Sequence, residues 1–368
     1  MHILVTADTL GGVWTYTREL LTGLARQGEQ VTLVSFGDIP TASQTQWMQA
    51  LPRLDYRPTA FKLEWMMDSE ADMLASSEYL QAVIEETRPD LLHLSQFYYG
   101  ALPCDVPRVV VAHSDVVSWW EAVHREQPPD TAWLRWYRQV VERGLSEATA
   151  VVAPSRWMLE QITRHYGPLP AGSVIHNGRT PSLFNPYMGK EGSIVTIGRL
   201  WDAGKNAALL LRDEMPGPVH IVGCNRHPEL QAGAFTAEDL RSNVFLEQEQ
   251  DELRIARTLA RAGIYAVTSQ YEPFGLAPVE AAFSRCAIVA SDIPSLRELW
   301  DGAAVFFRNN DAASLRHAVE RLLRDPATRL ALGNLACSHA RRLFAADRMV
   351  AAYIDLYQSL VPARAISA

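Results

Sequence analysis

Lysine is almost missing from this chain. Lys62, Lys190 and Lys205 are its only three, and arginine supplies the rest of the positive charge. Chemistry that needs a lysine nucleophile or a lysine-anchored cofactor therefore has few places to sit. Cysteine is also scarce. Cys104, Cys224, Cys286 and Cys337 are scattered without a C-x-x-C pair, which argues against a structural zinc site or a disulfide framework and predicts reduced thiols in a cytoplasmic protein. No apolar run reaches the roughly 18 residues of a membrane span. The first residues, Met1 to Thr6, form a short apolar stretch with no basic segment ahead of it, so no signal peptide is expected. Positive charge is not in excess: 34 basic residues face 42 acidic ones, a formal charge of −8. That speaks against nucleic acid as a partner, which selects a basic face. Low-complexity tracts are absent, and so is G-x-G-x-x-G, so a dinucleotide fingerprint is not supported.

What remains is an ordinary globular composition, 48% hydrophobic and 21% charged, in 368 residues, long enough for about two domains. Short apolar runs alternate with helical patterns. Ile3 to Thr6, Gln30 to Ser35, Leu91 to Leu94, Val109 to Ala112 and Ala150 to Ala153 read as buried strands, with amphipathic stretches such as Trp14 to Arg26 and Tyr79 to Thr87 between them. The pattern repeats in Ser193 to Ile197, Val219 to Val222, Val244 to Leu246, Ile264 to Thr268, Ala287 to Ala290 and Ala304 to Phe306. Such alternation predicts an α/β fold of two doubly wound, Rossmann-like halves facing across a cleft. Turn formers from Asn177 to Ser182 and at Asn185-Pro186 place the linker. The expected domains are 1–180 and 181–347, with an amphipathic helix at about 348–368 carrying Met349, Tyr353, Leu356 and Tyr357 on one side.

The most informative stretch runs from Glu272 through Pro273, Phe274, Gly275 and Leu276 to Glu280. It follows the apolar run Ile264 to Thr268 and opens a predicted helix, Leu276 to Ser284, with Pro278 in the first turn, where a missing N–H does no harm. One carboxylate then lies on a strand-to-helix loop and the other about one turn into the helix. Ligands of open α/β sheets bind in this crevice. Amides of Phe274, Gly275 and Leu276 at a helix N-terminus favour an anion, whereas two carboxylates favour hydroxyls. Phosphate at the amides and hydroxyls at the acids describe a nucleotide sugar. Two solvated surface acids are the plainer alternative.

Other residues gather around the same idea. Gly198, Arg199 and Leu200 follow the first strand of the second half, and Lys205-Asn206 opens the next helix; an arginine and a lysine at one crevice can neutralise a diphosphate. Gly11 and Gly12, in Leu10 to Trp14, let the backbone approach a ligand closely or simply make a tight turn. His113 ends a strand and could bond a sugar hydroxyl; His93 is placed similarly and reads as structural or acceptor-side. Trp119, Trp120, Trp133 and Trp136 surround Pro128-Pro129 and read as packing, as an acceptor platform, or as a face for peripheral membrane contact on the inner side.

Taken together, these pieces resemble the retaining GT-B glycosyltransferases of family 4. The resemblance spans nearly the whole chain. It rests on Gly11-Gly12 with Glu19-Leu20, Val111-Ala112-His113, Val152 to Ser155, Ile175 to Gly178, Gly198-Arg199-Leu200 with Lys205-Asn206, Ile221-Val222-Gly223, and the Glu272/Glu280 pair, in that order and spacing. It implies a GT-B fold whose C-terminal helix crosses back to the N-terminal domain. It also implies roles: Arg199 and Lys205 on the donor pyrophosphate, with the amides after Pro273 assisting and Gly12 closing; Glu272 on the transferred sugar; Glu280 on the ribose; His113 against the sugar. Two departures stand out. The gap from Arg199 to Lys205 is one residue longer than in many members, and Arg179-Thr180 stand where an aspartate is common after Asn-Gly.

The expected activity is metal-independent, retaining transfer of a hexose from a nucleotide-diphosphate sugar to a hydroxyl acceptor, with UDP-glucose first and GDP-mannose second by family frequency. No cofactor is expected. A nucleotide-sugar epimerase, a phosphorylase and a non-catalytic sugar-nucleotide-binding protein remain as alternatives.

Overall fold

The computed structural model describes residues 1–9, 11–226 and 240–361. Leu10 and the end of the chain beyond Val361 lie outside them. The chain divides into two compact units: Met1–Glu121, Glu126–Gly178 and the stretch from Ala346 form one, and Ala122–Arg125 with Arg179–Ala345 the other.

The first unit is built on seven strands: β1 (His2–Asp8), β2 (Gln30–Phe36), β3 (Leu54–Pro58), β4 (Leu91–Leu94), β5 (Arg108–Val111), β6 (Ala150–Ala153) and β7 (Gly172–Val174). They pair in the order β3-β2-β1-β4-β5-β6-β7, every pair parallel. The second unit holds β8 (Ile194–Ile197), β9 (Val219–Val222), β10 (Val244–Glu247), β11 (Ile264–Val267), β12 (Ala287–Ser291) and β13 (Val305–Phe307), in the order β10-β9-β8-β11-β12-β13, again all parallel. Both sheets thus reverse direction of winding once, between β1 and β4 and between β8 and β11. A doubly wound sheet opens its ligand crevice at that reversal, outside the carboxyl ends of the strands.

The strands are apolar on both faces because helices cover both faces. In β8, Ile194 belongs to one hydrophobic cluster and its neighbour Val195 to another, as alternation along a strand requires. Every expected strand is present. The sequence reading missed β3 and β7, the two edges of the first sheet, and started the helix Glu70–Thr87 nine residues late, at Tyr79.

The C-terminal helix Ala346–Leu360 is part of the first unit. It buries Met349, Tyr353 and Tyr357, and it lies against the helix Gly12–Arg26, where Tyr353 meets Tyr16 edge-on at 6.2 Å. Among the described residues no helix is long and apolar enough to cross a membrane.

Candidate functional site

The reversal point of the second sheet gathers most of the residues singled out in the sequence. β8 delivers Gly198 and Arg199, and β11 delivers Thr268, Ser269 and Glu272. Gly198 sits tight against Gly223: a Cβ on Gly223 would lie 1.9 Å from the Gly198 carbonyl oxygen, and Gly223 has φ +143°. Only glycine permits that approach.

A short loop carries Lys205 back over the strand ends. The Gly204 N–H donates to Asp202 Oδ1 at 2.8 Å, the Lys205 N–H to the Asp202 carbonyl at 2.9 Å, and Thr268 Oγ1 to the Lys205 carbonyl at 2.9 Å. So fixed, Lys205 Nζ donates to both oxygens of Glu272, each at 2.7 Å. Ser269 Oγ donates to Glu272 Oε2 at 2.9 Å. Glu272 is only 5% exposed, while Lys205 keeps part of its side chain at the surface. Arg199 is more open; its guanidinium donates to Asp202 Oδ2 at 2.9 Å and lies 5.4 Å from the Trp201 ring.

After Glu272 the chain turns at Gly275 (φ +85°), where a Cβ would come within 3.1 Å of the Glu272 side chain. The positive φ favours glycine at this turn, and the close Glu272 side chain leaves little slack for a larger residue. The helix Leu276–Phe283 follows, with Pro278 third in its first turn. Phe274 faces inward, its ring edge-on to Phe344 at 5.2 Å, so any part it plays at the surface falls to its backbone.

Glu280 is not beside Glu272's lysine. It is buried, 8% exposed, and accepts from Arg179 Nε at 2.7 Å; Arg179 Nη2 donates to Glu252 Oε1 at 2.6 Å. Both glutamates expected to accept hydroxyls thus already accept from cations, a charge arrangement that local sequence patterns do not reveal.

The first unit holds the other two candidates. Gly12 is exposed and begins the helix Gly12–Arg26 after Gly11, which has φ +68°. His113 follows β5; its ring meets Tyr16 edge-on at 4.6 Å, and Nε2 lies 3.5 Å from Ser95 Oγ. Burial pushes its imidazole down to about 3. His93 is fully buried and structural: Nε2 meets Tyr16 OH at 3.1 Å and Nδ1 meets Tyr357 OH at 2.6 Å. Burial, then the neighbouring His113, pushes it to about 3 as well. Trp133 and Trp136 pack on the first unit's core, and Trp133 Nε1 donates to the Met66 carbonyl at 3.1 Å. Trp119 and Trp120 stand edge-on to each other at 6.4 Å.

Sequence reasoning missed Asp202, Ser269, Arg179 and Glu252. The first two stand three residues from Arg199 and Glu272, so spacing could have found them. Arg179 stood out only within a departure from the family pattern, with no role attached to it, and Glu252 gave no local signal.

Comparison with known proteins supplies the context. The model described as Glycosyltransferase Family 4 matches residues 10–183, and that described as Glycosyl transferases group 1 matches residues 205–338. The lipopolysaccharide core biosynthesis mannosyltransferase LpcC of Rhizobium leguminosarum bv. viciae is 37% identical over 105 residues, 27% of this chain and 29% of the relative. Glycogen synthase of Mycobacterium tuberculosis is 28% identical over 280 residues, 65% of this chain and 61% of the relative. The match thus spans less than two thirds of either relative. In fold, the chain is similar to Anabaena Alr3699/HepE, solved in complex with UDP-glucose, with a TM-score of 0.74 at 16% identity, covering 98% of this chain and 100% of that one.

Proposed function

This chain belongs to the family 4 glycosyltransferases, with a GT-B fold, and from that premise we propose that it moves a hexose from a nucleotide-diphosphate sugar to a hydroxyl acceptor, with retention of configuration and without a metal ion. One observation carries the reading: Lys205 and Glu272 are locked together at the reversal point between β8 and β11, with Arg199 beside them. An ammonium has three donors, and Glu272 takes two. The third suits a phosphate oxygen, so Glu272 aims Lys205 rather than retiring it. Arg199 adds a planar fork to the same leaving group.

Transfer breaks the bond from the anomeric carbon to the diphosphate oxygen and forms one to the acceptor oxygen. Negative charge grows on the diphosphate as it leaves. Cations already fixed in place stabilise that charge without reorganising. The acceptor's proton goes to the departing phosphate, on the same face of the sugar, and the configuration is kept. The two cations supply the charge that a divalent ion would otherwise bring.

UDP-glucose is the first donor proposed, a choice supported by the ligand of the HepE structure, and GDP-mannose the second, supported by the similarity to LpcC. Glu280 is proposed to bind the ribose hydroxyls. The test uses donor alone, where water is the acceptor. Proton NMR should show slow release of sugar with the α anomer appearing first. The β anomer first would overturn retention, and an epimerised donor would overturn transfer.

A further inference from the structure

Arg179 is among the most deeply buried large side chains of the molecule, with 2% of it exposed, and the donor site as proposed gives it no task. Its place is set by its backbone. It is the first residue of the second unit after Gly178. Its N–H donates to the Phe344 carbonyl at 3.0 Å, and it forms an isolated parallel bridge with Ala345, the last residue before the chain returns to the first unit. From that anchored position the side chain passes Phe184, with the guanidinium 5.3 Å from its ring centroid. It then meets two carboxylates on different helices: Glu280, in the second turn of Leu276–Phe283, and Glu252, the first residue of Glu252–Arg261.

We infer that Arg179 is a positioning residue for the donor's ribose: it holds Glu280 ionised and oriented as the buried cation between Glu280 and the partly exposed Glu252. The inference rests on the proposal that Glu280 binds ribose hydroxyls. A buried carboxylate stays charged only with a partner. Arginine is suited to the task because its rigid fork can serve two carboxylates at fixed angles, whereas lysine offers a point charge on a flexible stem. Oε1 of Glu280 is held by Nε at 2.7 Å, which restrains how the carboxylate can turn. An ionised carboxylate of set orientation can accept from both hydroxyls of a vicinal diol; a neutral or swivelling one cannot hold both. The second glutamate, Glu252, holds the far side of the fork so that the guanidinium does not turn.

Calorimetric titration of the intact protein tests this with the nucleoside diphosphate that binds, UDP or GDP, against its 2′-deoxy and 3′-deoxy forms and against the monophosphate. Wild type should prefer the ribonucleotide by about tenfold or more, since hydrogen bonds to charged groups are among the stronger ones. In Arg179→Met and Arg179→Lys that preference should fall toward one, while the preference for diphosphate over monophosphate stays at its wild-type value. A general loss of structure would lower both together. Arg179→Lys keeps the charge and decides the matter if Arg179→Met does not fold. Glu280→Gln separates the two ideas. If it abolishes the ribose preference and folded Arg179 variants keep it, the role of Arg179 is overturned and that of Glu280 stands. If Glu280→Gln keeps the preference, or wild type has none, the ribose assignment falls and this inference with it.

Discussion

Lys205 Nζ holds both oxygens of Glu272 at 2.7 Å, across 67 residues of chain, where β8 and β11 lie side by side. The pair joins a cation that would meet a diphosphate to an acid that would meet a sugar. Lys205→Ala should lower donor turnover by about 10²–10³, the usual loss when one fixed donor to a developing anion is removed. Steady-state release of nucleoside diphosphate measures it. Turnover within twofold of wild type would exclude Lys205 from the reaction.

Arg179 is itself buried between buried Glu280 and partly exposed Glu252, so its loss should be felt in stability too. Arg179→Ala leaves Glu280 and Glu252 without their shared cation. Breaking a buried pair in this way costs about 3–5 kcal/mol. Chemical denaturation should show a midpoint lowered accordingly, and a smaller loss for Arg179→Lys. An unchanged midpoint for Arg179→Ala would mean that the cluster is not buried in solution.

His93 predicts the acid limb of stability. Its folded-state value of about 3 lies below the ordinary 6.5, so between these limits the unfolded chain takes up a proton that the folded chain refuses. Stability should fall as pH drops through that window. Glu64 acts in the opposite sense. Burial pushes it up to about 7 from 4.5, although the N–H groups of Phe97 and Tyr98 donate to it at 2.8 and 2.6 Å, so its contribution is lost as pH rises from 4.5 to 7. Calorimetry from pH 4.5 to 7.5 should show a shallower acid slope for His93→Gln than for wild type, and a shallower decline toward neutral pH for Glu64→Gln. Parallel profiles for all three proteins would contradict both assignments.

The C-terminal helix can be tested at one glycine. A Cβ on Gly23 would lie 2.3 Å from Val350 Cγ2. Gly23→Ala raises helix propensity yet should destabilise by about 1–3 kcal/mol through overpacking. Adding Val350→Ala should recover much of the loss. A more stable single variant would show that this helix does not dock there.

The legible parts of the fold share one cause. Central strands such as Ile264 to Val267 are buried on both faces and read as continuous apolar runs. The missed β3 has the pattern Leu-Asp-Tyr-Arg-Pro, half-buried and ending in proline, and the missed β7 is only Gly-Ser-Val, largely open to solvent. Edge strands lose the apolar signal because one side is not covered. The site shows a similar split. Glu272, Gly275 and Glu280 were readable because the turn and helix that carry them are contiguous. Glycine at 275 was readable as a turn, but not its closeness to Glu272. The partner of Glu280 was not, since Arg179 reaches it from 101 residues away in sequence and meets Glu252 across another 73, brought there by the sheet order rather than by any local rule.

The central claim is that the paired Lys205 and Glu272 form the donor site of a glycosyltransferase. Isothermal titration of UDP-glucose and GDP-mannose into wild type and Lys205→Ala tests it most directly. The account predicts that one of the two sugars binds wild type and binds the variant at least tenfold more weakly. Equal affinity for both proteins, or no binding of either sugar to wild type, would contradict it.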